Sequence, residues 1–221
     1  MRPLVLALIA LLPAIGWSHP VTFKGGVAAS SIHRPGMTQS HVNYTVHRQF
    51  ALGATHLQLR EPEQPVVAHY GQLNALLYRK NRPASQTNLY LSLGAGAAKQ
   101  ETESYRPSIL ASLQADHETD NFYSAFRAMG FIDTQDFDTL LGDPLSSESS
   151  FFALQGRVGI LPFETDFESL QIWTVLQVDA QSWSDSPVEL TPLLRLFYKN
   201  VLWEMGSSMS GKTWLHMMVH L

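Results

Sequence analysis

Apolar and polar residues alternate along most of the chain from residue 19 onward, and no stretch sustains a 3.6-residue period. A period of two belongs to a strand whose two faces meet different surroundings. The clearest case is Asn88 to Ala97, where Leu89, Leu91, Leu93, Ala95 and Ala97 share one face and Asn88, Tyr90, Ser92, Gly94 and Gly96 the other. At the C-terminus Leu215, Met217, Val219 and Leu221 alternate with His216, Met218 and His220. Val42, Tyr44 and Val46 oppose His41, Asn43, Thr45 and His47, while Ile109, Ala111, Leu113 and Ala115 oppose Ser108, Ser112, Gln114 and Asp116. Phe152, Leu154, Val158 and Ile160 face away from Gln155 and Arg157, as do Leu170, Ile172, Leu176 and Val178 from Gln171, Gln177 and Asp179. The pattern predicts an all-β chain of roughly 10–12 strands, each near the length a tilted membrane strand needs. Pro192, and a run from Leu193 to Met205 broken only at Lys199-Asn200, leave that number open.

The links alternate too. With His19 to Ile32 as the first strand, the odd-numbered links (Ser31 to Thr38, Lys99 to Pro107, Phe131 to Ser150, Ala180 to Pro187) read as long and the even-numbered ones as mostly tight. An up-and-down barrel with long loops on one side of a membrane and short turns on the other is built this way. The acids gather in the links, with Asp133, Asp136, Asp138, Asp143 and Glu148 in the longest.

Composition changes the picture in one respect. The 221 residues are 45% hydrophobic but only 15% charged, against about a quarter in an ordinary soluble domain. Lipid in place of water around the apolar faces accounts for the deficit. A net charge of −4 with no cysteine excludes disulfide frameworks and thiolate metal sites, and argues against a nucleic-acid partner. Residues 1–18 carry Arg2, an apolar run from Leu4 to Leu12, Pro13 and small residues before His19. That layout predicts a cleaved export signal, with the barrel occupying residues 19–221.

The closing Trp214-Leu215-His216-Met217-Met218-Val219-His220-Leu221 resembles the terminal strand of small bacterial outer-membrane β-barrels, although those strands usually end in Phe. The opening His19-Pro20-Val21-Thr22-Phe23-Lys24-Gly25-Gly26 is similar to the start of proteobacterial envelope proteins with no assigned activity. The resemblance implies a transmembrane antiparallel barrel in the outer membrane of a Gram-negative bacterium. Its partners would be outer-membrane lipid, the barrel-assembly machinery and a small solute or ion.

Gly206 to Thr213 spells a phosphate-loop pattern, G-x-x-x-x-G-K-[ST], but the residues after it alternate instead of opening a helix, so a hairpin loop is expected. Ser40 and His41 are too close in sequence to serve as nucleophile and base, because neighbours on a strand point to opposite faces. No catalytic residue is assigned. Parity places the charges Lys24, Asp116, Arg127, Arg157, Asp179, Arg195 and Glu204 on the lumen face, where they can pair across the bore or size it. It also gives the lumen His47, His56, His216 and His220, with His19 at the rim beside Met218, a set that suits copper or zinc. Tyr44, Tyr78, Trp203 and Trp214 read as interfacial belt aromatics.

The function these readings support is a porin-like channel or binding barrel for a small solute or ion, with a link to copper or zinc expected from the histidines. The alternative, a soluble periplasmic all-β protein binding a metal or ligand, would turn the same apolar faces inward. A lipid-directed barrel hydrolase is third.

Overall fold

The computed structural model describes residues 19–60, 65–100, 104–133, 150–163, 169–184 and 188–221. The signal-like residues 1–18 and the acids Asp136, Asp138, Asp143 and Glu148 of the longest link lie outside the described residues. Twelve strands follow one another: β1 (Val27–Arg34), β2 (Met37–His47), β3 (Phe50–Leu59), β4 (Val66–Arg82), β5 (Ser85–Gln100), β6 (Arg106–Thr119), β7 (Phe122–Asp133), β8 (Ser150–Ile160), β9 (Gln171–Gln181), β10 (Val188–Tyr198), β11 (Val201–Ser207) and β12 (Thr213–His220). Each is antiparallel to its neighbour, and β1 closes on β12 with Ala28 opposite His220 and His33 opposite Leu215. Closure leaves no unpaired edge, which lipid requires.

The twelfth strand comes from the run that the sequence left open. Lys199-Asn200 is a tight turn with Lys199 at φ 53°, and it separates β10 from β11. Pro192 is tolerated because the β10–β11 ladder ends one residue before it, at Leu193 opposite Gly206. Tight links also follow β2, β4 and β6, whereas the β8–β9 link is longer and breaks the even-numbered rule. The first link breaks the rule the other way. Pro35-Gly36, with Gly36 at φ 66°, is a turn and not the long loop expected from Ser31 to Thr38. We call the side holding the β3–β4, β5–β6 and β7–β8 links the loop end, and the opposite side the turn end.

The apolar faces look outward. Leu93 is 48% exposed while its neighbours Ser92 and Gly94 are buried. The same holds along most of the wall, at Leu52, Leu73, Leu113, Leu154, Val158, Leu176, Leu194 and Met217. This is opposite to what the soluble alternative needs. Tyr44, Phe50, Tyr78, Phe122, Tyr198 and Trp203 stand exposed toward the turn end, in the manner of an aromatic girdle. Trp214 does not join them. Its position in β12 faces inward with His216, and it is buried under the Arg157 guanidinium.

At the loop end between β2 and β8 the two faces exchange character. Met37, Leu57, Leu59, Val66, Ala68, Tyr70, Leu110, Met129, Phe131 and Phe151 point inward and form one buried cluster with Trp183. The outward positions there are Thr38, Ser40, His56, Gln58, His69 and Lys99. A sheet that is greasy inside and polar outside is built for water on its exterior, so this rim is suited to rise above the apolar band.

Candidate functional site

The lumen is filled in three tiers. At the turn end the chain before β1 folds back into the bore. Val21 is fully buried with Ala51, Leu76 and Tyr90. The Thr22 amide donates to Thr45 Oγ1 at 3.0 Å. His19 lies 5.3 Å from the Tyr90 ring, with Nε2 3.4 Å from Asp116 Oδ1. Asn88 fixes that corner by donating to Asp116 Oδ1 at 2.7 Å, and Arg79 donates to Asn88 Oδ1 and the Tyr90 hydroxyl at 2.8 and 2.9 Å. Gly25, at φ 85°, turns the chain out of the bore, and its amide bonds the Thr45 carbonyl at 2.8 Å. The first strand therefore begins at Val27 and not at His19. Lys24, expected on the lumen face, sits exposed in that turn.

The middle tier is a connected set of charges and amides. Glu204 accepts from Arg157 at 3.0 Å and from Arg195, and its Oε2 lies 2.8 Å from His216 Nδ1. His216 Nε2 is 2.9 Å from Ser30 Oγ, so both ring nitrogens are engaged. Asp179 accepts from Arg34 at 2.9 Å and from Gln155 at 2.8 Å, and Gln177 joins the clusters by bonding both Arg157 and Asp179. Aromatic rings support two of the guanidiniums, Trp214 beneath Arg157 at 5.1 Å and Tyr123 beneath Arg195 at 4.4 Å. Arg127 donates to Gln39 Oε1 at 3.3 Å and has no carboxylate partner among the described residues. Four guanidiniums thus meet Asp179 and Glu204 in this tier, and a third carboxylate, Glu118, which pairs in the ladder with Tyr123, faces Arg195. A cavity of about 40 Å³ lies among Arg34, Arg127, Arg157, Gln155 and His216.

The third tier is the apolar cluster at the loop end, reached from the middle one through Arg34, whose guanidinium lies 5.8 Å over the Trp183 ring.

Six of the seven expected lumen charges, Asp116, Arg127, Arg157, Asp179, Arg195 and Glu204, face the bore. Arg34 was missed because the sequence placed it inside a loop that proves to be strand. The histidines are scattered. His216 serves Glu204, His19 serves Asp116, and His220 Nε2 lies 3.3 Å from Met218 Sδ. His47 and His56 are on the outer wall, which corrects the lumen assignment. A bulge between Thr45 and His47 shifts the register so that His47 pairs and stacks with the outward Phe50. In β3 the lumen face at this height is the apolar one, carrying Leu57 and Leu59, so His56 looks out. Among the described residues no three His, Asp or Glu side chains gather into one candidate metal site. Ser40 bonds Ser31 at 3.1 Å on the outer wall, away from the inward His41, so no nucleophile and base pair forms there. The Gly206 to Thr213 stretch is the expected hairpin link, closed by Ser208 N to Lys212 O at 2.8 Å.

A twelve-strand antiparallel barrel with an apolar outer wall and a polar middle lumen is the architecture of a small outer-membrane barrel. No family model matches the chain, and no curated protein does. Among solved structures it is similar to KdgM porin at 14% identity over 88% of this chain and 97% of that one, with a TM-score of 0.46. "KdgM porin in complex with disordered oligogalacturonate" aligns at 13% over the same shares with a TM-score of 0.47. OccK11 (OpdR) of Pseudomonas aeruginosa aligns at 11% over 90% of this chain and 67% of its own, with a TM-score of 0.41. These likenesses add nothing to the barrel that the strand register already defines.

Proposed function

We propose that the protein resides in the outer membrane of a Gram-negative bacterium, after loss of residues 1–18, and passes or holds a small polar solute or ion in its lumen, with a preference for anions. The observation that carries the reading is the middle tier, where four arginines meet three carboxylates, Asp179, Glu204 and Glu118, inside a wall jacketed for lipid. Fixed positive charge in a low-dielectric bore lowers the energy of an anion there and raises that of a cation. Residues 19–22 at the turn end and the apolar cluster at the loop end both occupy the bore. Passage therefore requires at least one of them to move.

The test is electrical. Mature protein reconstituted in a planar bilayer under a potassium chloride gradient should give a reversal potential of the anion-selective sign, and Arg127→Glu should shift it toward cations. A silent membrane under all voltages, together with no anion-dependent change in thermal unfolding, overturns the proposal.

A further inference from the structure

Outside the lumen, the outer wall of the loop end brings two imidazoles together. His56 of β3 and His69 of β4 are direct cross-strand partners in a ladder that runs unbroken from Phe50–Ala75 to Leu59–Val66. Their ring centroids are 4.8 Å apart and their Nδ1 atoms 3.3 Å apart. That separation is longer than the usual N–H···O range of about 2.7–3.2 Å. It equals the distance between two nitrogens on one tetrahedral zinc, about 3.3–3.4 Å for Zn–N bonds of about 2.0–2.1 Å. Adjacent positions of a square-planar copper site would draw the nitrogens in to about 2.8–2.9 Å.

The surroundings leave room for an ion and its water. On the same outward row the neighbours are small: Ser40 lies opposite His56 across β2, and Ala97 opposite His69 across β5. A groove of about 570 Å³ runs beside the pair, lined on the outer wall by Ser31, Ser40, Ala54 and Gly71. Two cations of this wall have partners of their own: the Lys99 ammonium sits over the Tyr105 ring at 5.3 Å, and the Arg60 guanidinium donates to Thr38 Oγ1 at 2.6 Å. His69 is exposed, with its ring centroid 6.1 Å from that of Tyr105, and His56 is half-exposed, so an ion can reach both imidazoles from outside the barrel.

We propose that His56 and His69 form a zinc site on the outer wall of the loop end, with both Nδ1 atoms as ligands and water completing the tetrahedron. The site joins β3 to β4 across the rim. It is separate from the lumen and stands whether or not the barrel conducts.

Metal-stripped barrel folded in detergent micelles is titrated with zinc chloride by calorimetry, alongside His56→Gln, His69→Gln and Ala97→His. The wild type should bind one equivalent that either glutamine variant weakens tenfold or more. Ala97→His, which adds a third imidazole to the row, should tighten it by a similar factor. Each variant must keep the heat-modifiable gel migration of a folded barrel. Absence of zinc binding to the wild type, or wild-type affinity and stoichiometry in both glutamine variants, overturns the site. Unchanged affinity in Ala97→His does so as well, since it places the bound zinc elsewhere among the histidines.

Discussion

Glu204 ties two guanidiniums and an imidazole together in the middle of the lumen. It is almost completely buried, yet accepts from Arg157 and Arg195 and engages His216, which in turn reaches Ser30 on the closing strand β1. Breaking a buried ion pair by removing one partner costs about 3–5 kcal/mol, because the remaining charge stays desolvated. Glu204→Gln removes the carboxylate that Arg157 and Arg195 share, leaving the more distant charges of Asp179 and Glu118 to offset them, and should lower unfolding stability by about that amount. Denaturant titration of barrel folded in micelles reads the loss directly. The exposed Arg48→Gln should change it by less than about 0.5 kcal/mol. Glu204, Arg157 and Arg195 were all legible from strand parity alone. Which partner each would choose was not, since the pairing crosses the bore and depends on the shear of the closed sheet.

At the scale of elements, the N-terminal segment is the part the sequence misread most. His19 to Gly26 alternates as well as many of the true strands, and the pattern cannot show that the segment runs inside the bore, where Val21 meets Ala51, Leu76 and Tyr90. Gly25 and Gly26 were the available signal, a glycine pair with one residue at φ 85° that lets the chain reverse between plug and β1. The Val21 contacts contribute about 1.5–3 kcal/mol of apolar burial, and burying a charge there instead would expel the segment. Val21→Glu should therefore raise single-channel conductance several-fold in planar bilayers while leaving the heat-modifiable migration intact. If conductance stays at the wild-type value, the apolar tier at the loop end alone sets the closed state. The same limit explains β2 and β3. Counting by twos gave His47 and His56 to the lumen, but the count slips by one at the bulge near His47 and loses its meaning in β3, where the greasy side is the inner one.

Over the whole molecule, period-two alternation shows that a sheet has unlike sides but is silent on which side meets lipid, and here the answer changes with height. Around the middle of the wall the sequence reading holds, with Leu73, Leu93 and Leu113 outward and Asn74, Ser92 and Ser112 inward. Toward the loop end Leu57, Leu59, Tyr70 and Leu110 turn in, and His56, Gln58, His69 and Lys99 turn out. The long strands β4 to β6 thus combine a membrane barrel with a water-facing rim that has its own core. Charge placement tests that division quantitatively. Arg on the lipid face costs about 2–4 kcal/mol at the bilayer midplane and about 0–1 near or beyond the interface. Leu93→Arg should fall in the first range and Gln58→Arg in the second, measured as folding free energies into lipid vesicles by guanidinium titration. Leu57→Arg, which buries the charge in the rim core, should be at least as costly as Leu93→Arg despite lying beside Gln58. Equal penalties at Leu93 and Gln58 would mean that lipid reaches the full height of the barrel, and the polar rim would then have no physical reason to be polar.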